Sequence, residues 1–219
     1  MREILKYVYD NLLTIITAIT ALIALWQTHK QIKISNKQFL FDKRMDKYIT
    51  FKGILKLYED NKKLLDYKSK DDEPIIVDFN FINLVNNGYL EHIGKIIEDP
   101  YNNDYKKEFL LKLEEIKKLS DEFRFLFKYK NIELISDFIY FYQDVLLELY
   151  KYQVFMKCME KNKTPSREPK DYKTLKKEFG EQSHRDRLYS SIKKLEDSYN
   201  KMISKKIIYK IESKIQLSD

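Results

Sequence analysis

At 219 residues, with only four glycines and four prolines, the chain has few turns and long elements between them. Its Leu, Ile, Lys, Glu, Phe and Tyr content favours helices over a turn-rich β-sandwich. A single cysteine excludes a disulfide framework and a redox pair, and the formal net charge of +7 points to phosphates, of lipid or of nucleic acid.

The charge is uneven along the chain. Residues 27–68 carry 11 Lys and Arg against 5 acids, 69–104 carry 2 against 8, 105–160 carry 10 of each, and 161–219 carry 16 against 9. One basic block adjoins the first apolar element and the other closes the chain, so position decides between the two kinds of phosphate.

That first element is NLLTIITAITALIALW, residues 11–26. From residue 12 to 26 there is no charge, and the polar side chains are threonines, whose hydroxyls can bond back to helix carbonyls. Sixteen helical residues rise about 24 Å, short of the ~20 residues a bilayer core usually requires. Tyr7 and Tyr9 ahead, with Trp26 behind, stand where interfacial aromatics anchor a span. A signal peptide would have a similar apolar length. Against it, Ala24 has Leu22 two positions earlier, so no small-x-small cleavage site follows, and Arg2 and Lys6 are offset by Glu3 and Asp10. A core helix would show a polar face, and this run is apolar all round. The reading is a single-pass anchor, residues 1–29, with Leu12, Leu13, Ile15, Ile16, Ile19, Leu22, Ile23, Leu25 and Trp26 in lipid. Lys30, Lys33, Lys37, Lys43, Arg44 and Lys47 follow it, so the positive-inside rule puts the remainder in the cytoplasm of a bacterial cell. Lys30, Lys33 and Lys37 are the candidate lipid-headgroup contacts. Thr14 and Ala18, Thr17 and Ala21, and Thr20 and Ala24 repeat at four-residue spacing, which lets helices approach closely and predicts a homo-oligomer.

The helical pattern runs on without Pro or Gly to residue 52. Ile34, Phe41, Met45, Tyr48 and Leu55 step by 7, 4, 3 and 7, a coiled-coil-like seam that predicts a basic stalk helix over 30–68 with Gly53 as a weak point. The remaining segment, 69–219, is expected to be a helical bundle, making the chain all-α. KSKDDEP is a loop. Residues 77–100 give short helices, with Asp78 a candidate cap and Asn87-Gly88 a break. A helix carries Tyr105, Phe109, Leu113, Ile116, Phe123 and Phe127, and a turn near Asn131 leads into the strongest one, with Leu134, Phe138, Phe141, Val145, Leu149, Tyr152 and Phe155 as its core stripe. Cys158 falls in that pattern and is expected to be buried. After an exposed loop holding Pro165 and Pro169, one last helix shows Leu188, Ile192, Leu195, Tyr199, Met202, Ile207, Ile211 and Ile215.

No catalytic chemistry stands out. His29 sits at the membrane edge, and His92 has no metal-ligand partner three or four residues away. His184, with Arg185, Asp186 and Arg187, could form a polar cluster at a helix start capped by Ser183. Helical toxin ribonucleases of the HEPN type need an arginine four to six residues before a histidine, and none here has that spacing. There is no H-E-x-x-H, P-loop or G-x-S-x-G, and Glu114-Glu115 falls on a solvated face. Neither cofactor nor metal is expected. The closing stretch, 193–215, mixes lysines with apolar residues, suiting either a bundle helix or anionic lipid; without a reader motif and with few arginines, nucleic acid is disfavoured.

Residues 34–48, ISNKQFLFDKRMDKY, resemble a segment of uncharacterised bacterial proteins that begin with one membrane span. The matching residues are Asn36-Lys37-Gln38, the run Leu40, Phe41, Asp42, Lys43 and Arg44, and Tyr48. Including the span, the resemblance covers about 45 residues and carries no catalytic residue. Some such proteins lie near mobile elements and phage-defence genes, which implies a membrane-anchored defence component. The alternative expectation is a membrane tether whose bundle binds a cytoplasmic protein.

Overall fold

The computed structural model describes residues 1–66, 75–161 and 180–215. Among these, all regular structure is helical and no strand occurs. The expected loops at 68–74 and around Pro165 and Pro169 lie outside the described residues. The chain divides into two compact units, Met1–Lys43 and Arg44–Asp219, and the helix α2 contributes to both.

In the first unit, α1 (Arg2–Asp10) ends at Asn11, whose φ of −104° and ψ of 4° leave the helical range and whose side-chain amide donates to Tyr7 O at 2.9 Å. α2 (Leu12–Asn61) then begins. From residue 12 to 40 every side chain on it is exposed. Thr17, Thr20 and Thr28 donate to the carbonyls of Leu13, Ile16 and Ala24, each at 2.8 Å, so these hydroxyls are satisfied within the helix itself.

In the second unit the same helix changes character. Tyr48, Phe51, Ile54, Leu55, Leu57 and Tyr58 are buried, and the helix passes through Gly53 unbroken before a 3-10 turn, Lys62–Leu65. The boundary between units therefore falls inside the expected stalk, and the lower part of its seam packs into this chain's own core. α3 (Val77–Val85) follows, beginning after Ile76; Asp78 sits in its first turn rather than capping it. The break at Asn87-Gly88 is a turn in which Asn87 Oδ1 accepts from Tyr89 N and Leu90 N, at 3.0 and 2.9 Å. A 3-10 turn, Glu91–Gly94, and the short α4 (Lys95–Glu98) lead to α5 (Asn103–Leu126), which Asn102 caps by accepting from Asp104 N and Tyr105 N.

α6 (Glu133–Lys161) packs against both α5 and α7 (Glu181–Ser204), and also against α3. It is apolar on more than one side because it has neighbours on more than one side: Ile135, Phe138, Ile139, Tyr142, Val145, Leu146, Leu149 and Tyr152 are all buried. Against α5 the contact is close enough for Ser120 and Ser136 to exchange side-chain bonds to each other's carbonyls, at 2.8 and 2.7 Å. Tyr142 OH donates to Leu84 O, and Gln153 donates to Ile97 O at 3.1 Å, fastening α3 and α4. The Phe138 ring meets Phe51 and Tyr58 of α2, Tyr142 of its own helix and Tyr199 of α7, with centroids 5.5–6.3 Å apart.

Cys158 is exposed, not buried. Tyr152 and Met159, seven residues apart, hold the buried stripe, and Cys158 lies about 100° away from Met159 around the helix. The last helix is two: α7 ends at Ser204, Lys206 takes φ 52°, and α8 (Ile207–Ile215) starts afresh. The apolar steps of 4, 3, 4 and 3 from Leu188 to Met202 give way to a step of 5 to Ile207, which no continuous helix keeps on one face.

Truncating Phe138 to Ala removes one ring that four others pack on. We expect a loss of about 3–5 kcal/mol, read as a lower urea midpoint with an unchanged slope.

Candidate functional site

α2 contains a stretch long and apolar enough to cross a membrane, the one such helix among the described residues. Leu12, Leu13, Ile15, Ile16, Ile19, Leu22, Ile23, Leu25 and Trp26 are all exposed on it, as are Thr14, Thr17, Ala18, Ala21 and Ala24. Nothing within the first unit covers them. Lys30, Lys33 and Lys37 are exposed too, and Lys30 Nζ lies 5.5 Å from the centre of the Trp26 ring.

The segment around Leu40 crosses the boundary between the two units. Leu40, Asp42 and Lys43 are exposed, and Phe41 is half-exposed. Arg44 opens the second unit: its Nε donates to Leu126 O at 2.8 Å and its guanidinium lies 6.0 Å from the Phe127 ring centre. One turn on, Tyr48 OH donates to Glu212 of α8, a carboxylate that Lys52 also holds at 3.3 Å. These bonds keep the Glu212 carboxyl below its ordinary pKa, the Tyr48 hydroxyl contributing most.

The densest polar cluster lies between α6 and α7. Glu181 and Arg185, one turn apart on α7, are both fully buried and paired, with Arg185 Nη2 and Nε at 2.8 and 3.0 Å from Glu181 Oε1. Tyr152 of α6 donates to the same oxygen, and Arg185 Nη1 donates to Tyr189 OH at 3.1 Å. Burial works against the guanidinium, but the Glu181 and Tyr189 bonds outweigh it and raise its pKa further. The pair is pre-arranged by i,i+4 spacing, and Tyr152 makes it a fastener between helices. In the sequence Arg185 groups with His184, Asp186 and Arg187. The geometry separates them, because Arg185 points into the core with Glu181 while Asp186 and Arg187 are exposed and His184 is half-buried. The missed signal was Glu181 and Arg185 falling in step with Leu188 and Leu195 on the buried stripe.

His184 stacks on Phe155 with centroids 4.5 Å apart and shares a 3.0 Å bond with Arg187. Burial and the Arg187 charge hold its pKa below the usual histidine value. Ser183 does not cap the helix; Gly180, in the left-handed region at φ 68°, precedes it, and Ser183 Oγ donates back to Gly180 O. His29 is exposed and His92 half-buried, each remote in sequence from this cluster. Among the described residues no group of three or more His, Cys, Asp or Glu is placed to hold a metal ion.

Beside the cluster, Tyr189 also lines a groove of about 610 Å³, with Tyr58, Lys62, Lys63, Lys193 and Tyr199 among its other walls. Lys62 Nζ lies 5.1 Å from the Tyr199 ring centre. The groove combines aromatic faces and ammonium groups with the carboxylates of Asp66 and Glu196. No family model, curated protein or solved structure matches this chain.

Arg185→Leu strands the Glu181 carboxylate in the core. We expect a loss of about 3–5 kcal/mol in urea unfolding, most of it recovered when Glu181→Leu is added. His184 gives a second, pH-dependent expectation. Because its folded pKa is lowered, the unfolded chain takes the proton first, so stability falls as pH drops below about 6.5. His184→Gln should make that acid decline shallower than in the natural chain.

Proposed function

We propose that this chain is a single-span protein of the bacterial inner membrane, a non-enzymatic component of phage defence whose helical bundle works in the cytoplasm. The observation that carries the reading is the uncharged helical surface of residues 12–26, exposed on every side and followed by Lys30, Lys33, Lys37 and Lys43. Such a surface suits hydrocarbon and not water. The satisfied hydroxyls of Thr17 and Thr20 lower the cost of placing them there. The lysines behind the span support a cytoplasmic position for the second unit and contact with anionic headgroups. The defence assignment rests on the resemblance of residues 34–48.

The proposed action is assembly. One short helix encloses no lumen, so a bilayer defect needs several copies, and the Thr14, Thr17, Ala18, Ala21 and Ala24 surface is small enough for helices to touch. The groove beside Tyr199 favours a second reading, in which the anchored bundle holds a cytoplasmic protein partner and no defect forms.

In membranes the chain should resist carbonate extraction, and protease should reach its second unit only in inverted vesicles; a processed soluble form would exclude the anchor. Ala18→Leu with Ala21→Leu should reduce crosslinked oligomers and, with the neighbouring genes present, weaken plaque reduction and dye entry on infection. Defence that is absent across a broad phage panel, together with a stoichiometric co-purifying protein, would leave the tether.

A further inference from the structure

We propose that α1 is an interfacial helix, lying in the plane of the headgroup–acyl boundary on the side of the membrane where the span begins. At 100° per residue, Met1, Ile4, Leu5 and Val8 fall within one arc of about 100°. Glu3, Lys6 and Asp10 occupy the opposite side, with Tyr7 at one border between the faces and Tyr9 and Arg2 at the other. All are exposed, Ile4 at 70% and Leu5 at 65%, and no residue of α1 is buried against protein. A nine-residue helix without a partner is marginal in water, so its apolar face requires one.

The occupant is lipid, by continuity. The chain passes from α1 into the proposed span through one residue, Asn11, where the backbone leaves helical geometry and the side chain closes α1 by bonding Tyr7 O. Four charged residues of nine keep α1 from crossing the hydrocarbon as an extension of α2. The tether to the span holds it at the interface, where a short apolar face suffices and border tyrosines are favoured. So placed, α1 fixes the depth of a span that is itself short. The proposal rests on the anchor reading above.

The test uses the full chain with Cys158→Ser, carrying single cysteines as Leu5→Cys, Lys6→Cys, Val8→Cys, Asp10→Cys or Ile19→Cys. Each is labelled with an environment-sensitive fluorophore and reconstituted in phosphatidylethanolamine–phosphatidylglycerol vesicles. Nitroxide-bearing lipid should quench labels at 5 and 8 several-fold more than those at 6 and 10, and aqueous iodide should show the reverse; the label at 19 should respond to lipid alone. Iodide quenching equal at 5, 6, 8 and 10, with 19 still protected, overturns the interfacial helix and leaves the anchor. Lipid quenching equal at all five overturns it in favour of a longer span. Iodide quenching at 19 removes the anchor itself.

Discussion

The second unit is organised around the ring of Phe138. It has aromatic neighbours from α2, α6 and α7, and Phe51 extends the same contact to Phe123 of α5 at 5.4 Å. Rings of this size set the spacing between helices and meet tilted or edge-on, so the cluster fixes which faces turn inward. Once α7 is held by Tyr199 and Leu195, its N-terminal turns are carried into the core as well, and the charges of Glu181 and Arg185 go with them. Their pairing and the Tyr152 bond are what make that burial tolerable. The polar cluster is thus a consequence of the aromatic one.

Much of this was legible in the sequence, and the reasons are specific. α5 and α6 carry unbroken stripes such as Phe109, Leu113, Ile116 and Phe123, and period alone finds them. Asn87-Gly88 and Asn131 announce turns, and Asn131 does adopt a positive φ of 66°. The exposed run on α2 is visible in the sequence because it carries no charge from residue 12 to 26. What escaped reading depended on knowing who the neighbours are. The Ile34-to-Leu55 seam suggested a partner helix from another copy, whereas Tyr48 and Leu55 find theirs within the chain. Cys158 looked apolar by company, yet its angle on α6 faces outward. Arg185 reads as part of a polar cluster at a helix start, although its spacing from Glu181, Leu188 and Leu195 matches the stripe.

The site itself was the least legible part. His184 stands in a run with Arg185, Asp186 and Arg187, but the buried member of that run is Arg185, one residue on. A titratable group beside a phenylalanine and an arginine has its charge suppressed without gaining a reaction partner. The tyrosines and lysines of the groove come from α2, the 3-10 turn after it, and α7, so no local motif could have gathered them.

The order in which α2 leaves the ribosome follows from its place in the chain. Its core-forming stretch, Tyr48 to Tyr58, emerges well behind the apolar run and meets its partners in turn: Phe123 and Phe138 come first, while Tyr199 bonds Glu59 across 140 positions and Glu212 bonds Tyr48 across 164. At ordinary translation rates that separation lasts about ten to thirty seconds. Throughout it, the side of α2 that Tyr199 and Glu212 reach lacks those partners. A nascent chain of this kind has a long interval in which chaperones or membrane proteases can claim it. Each copy's first hazard is therefore its own synthesis.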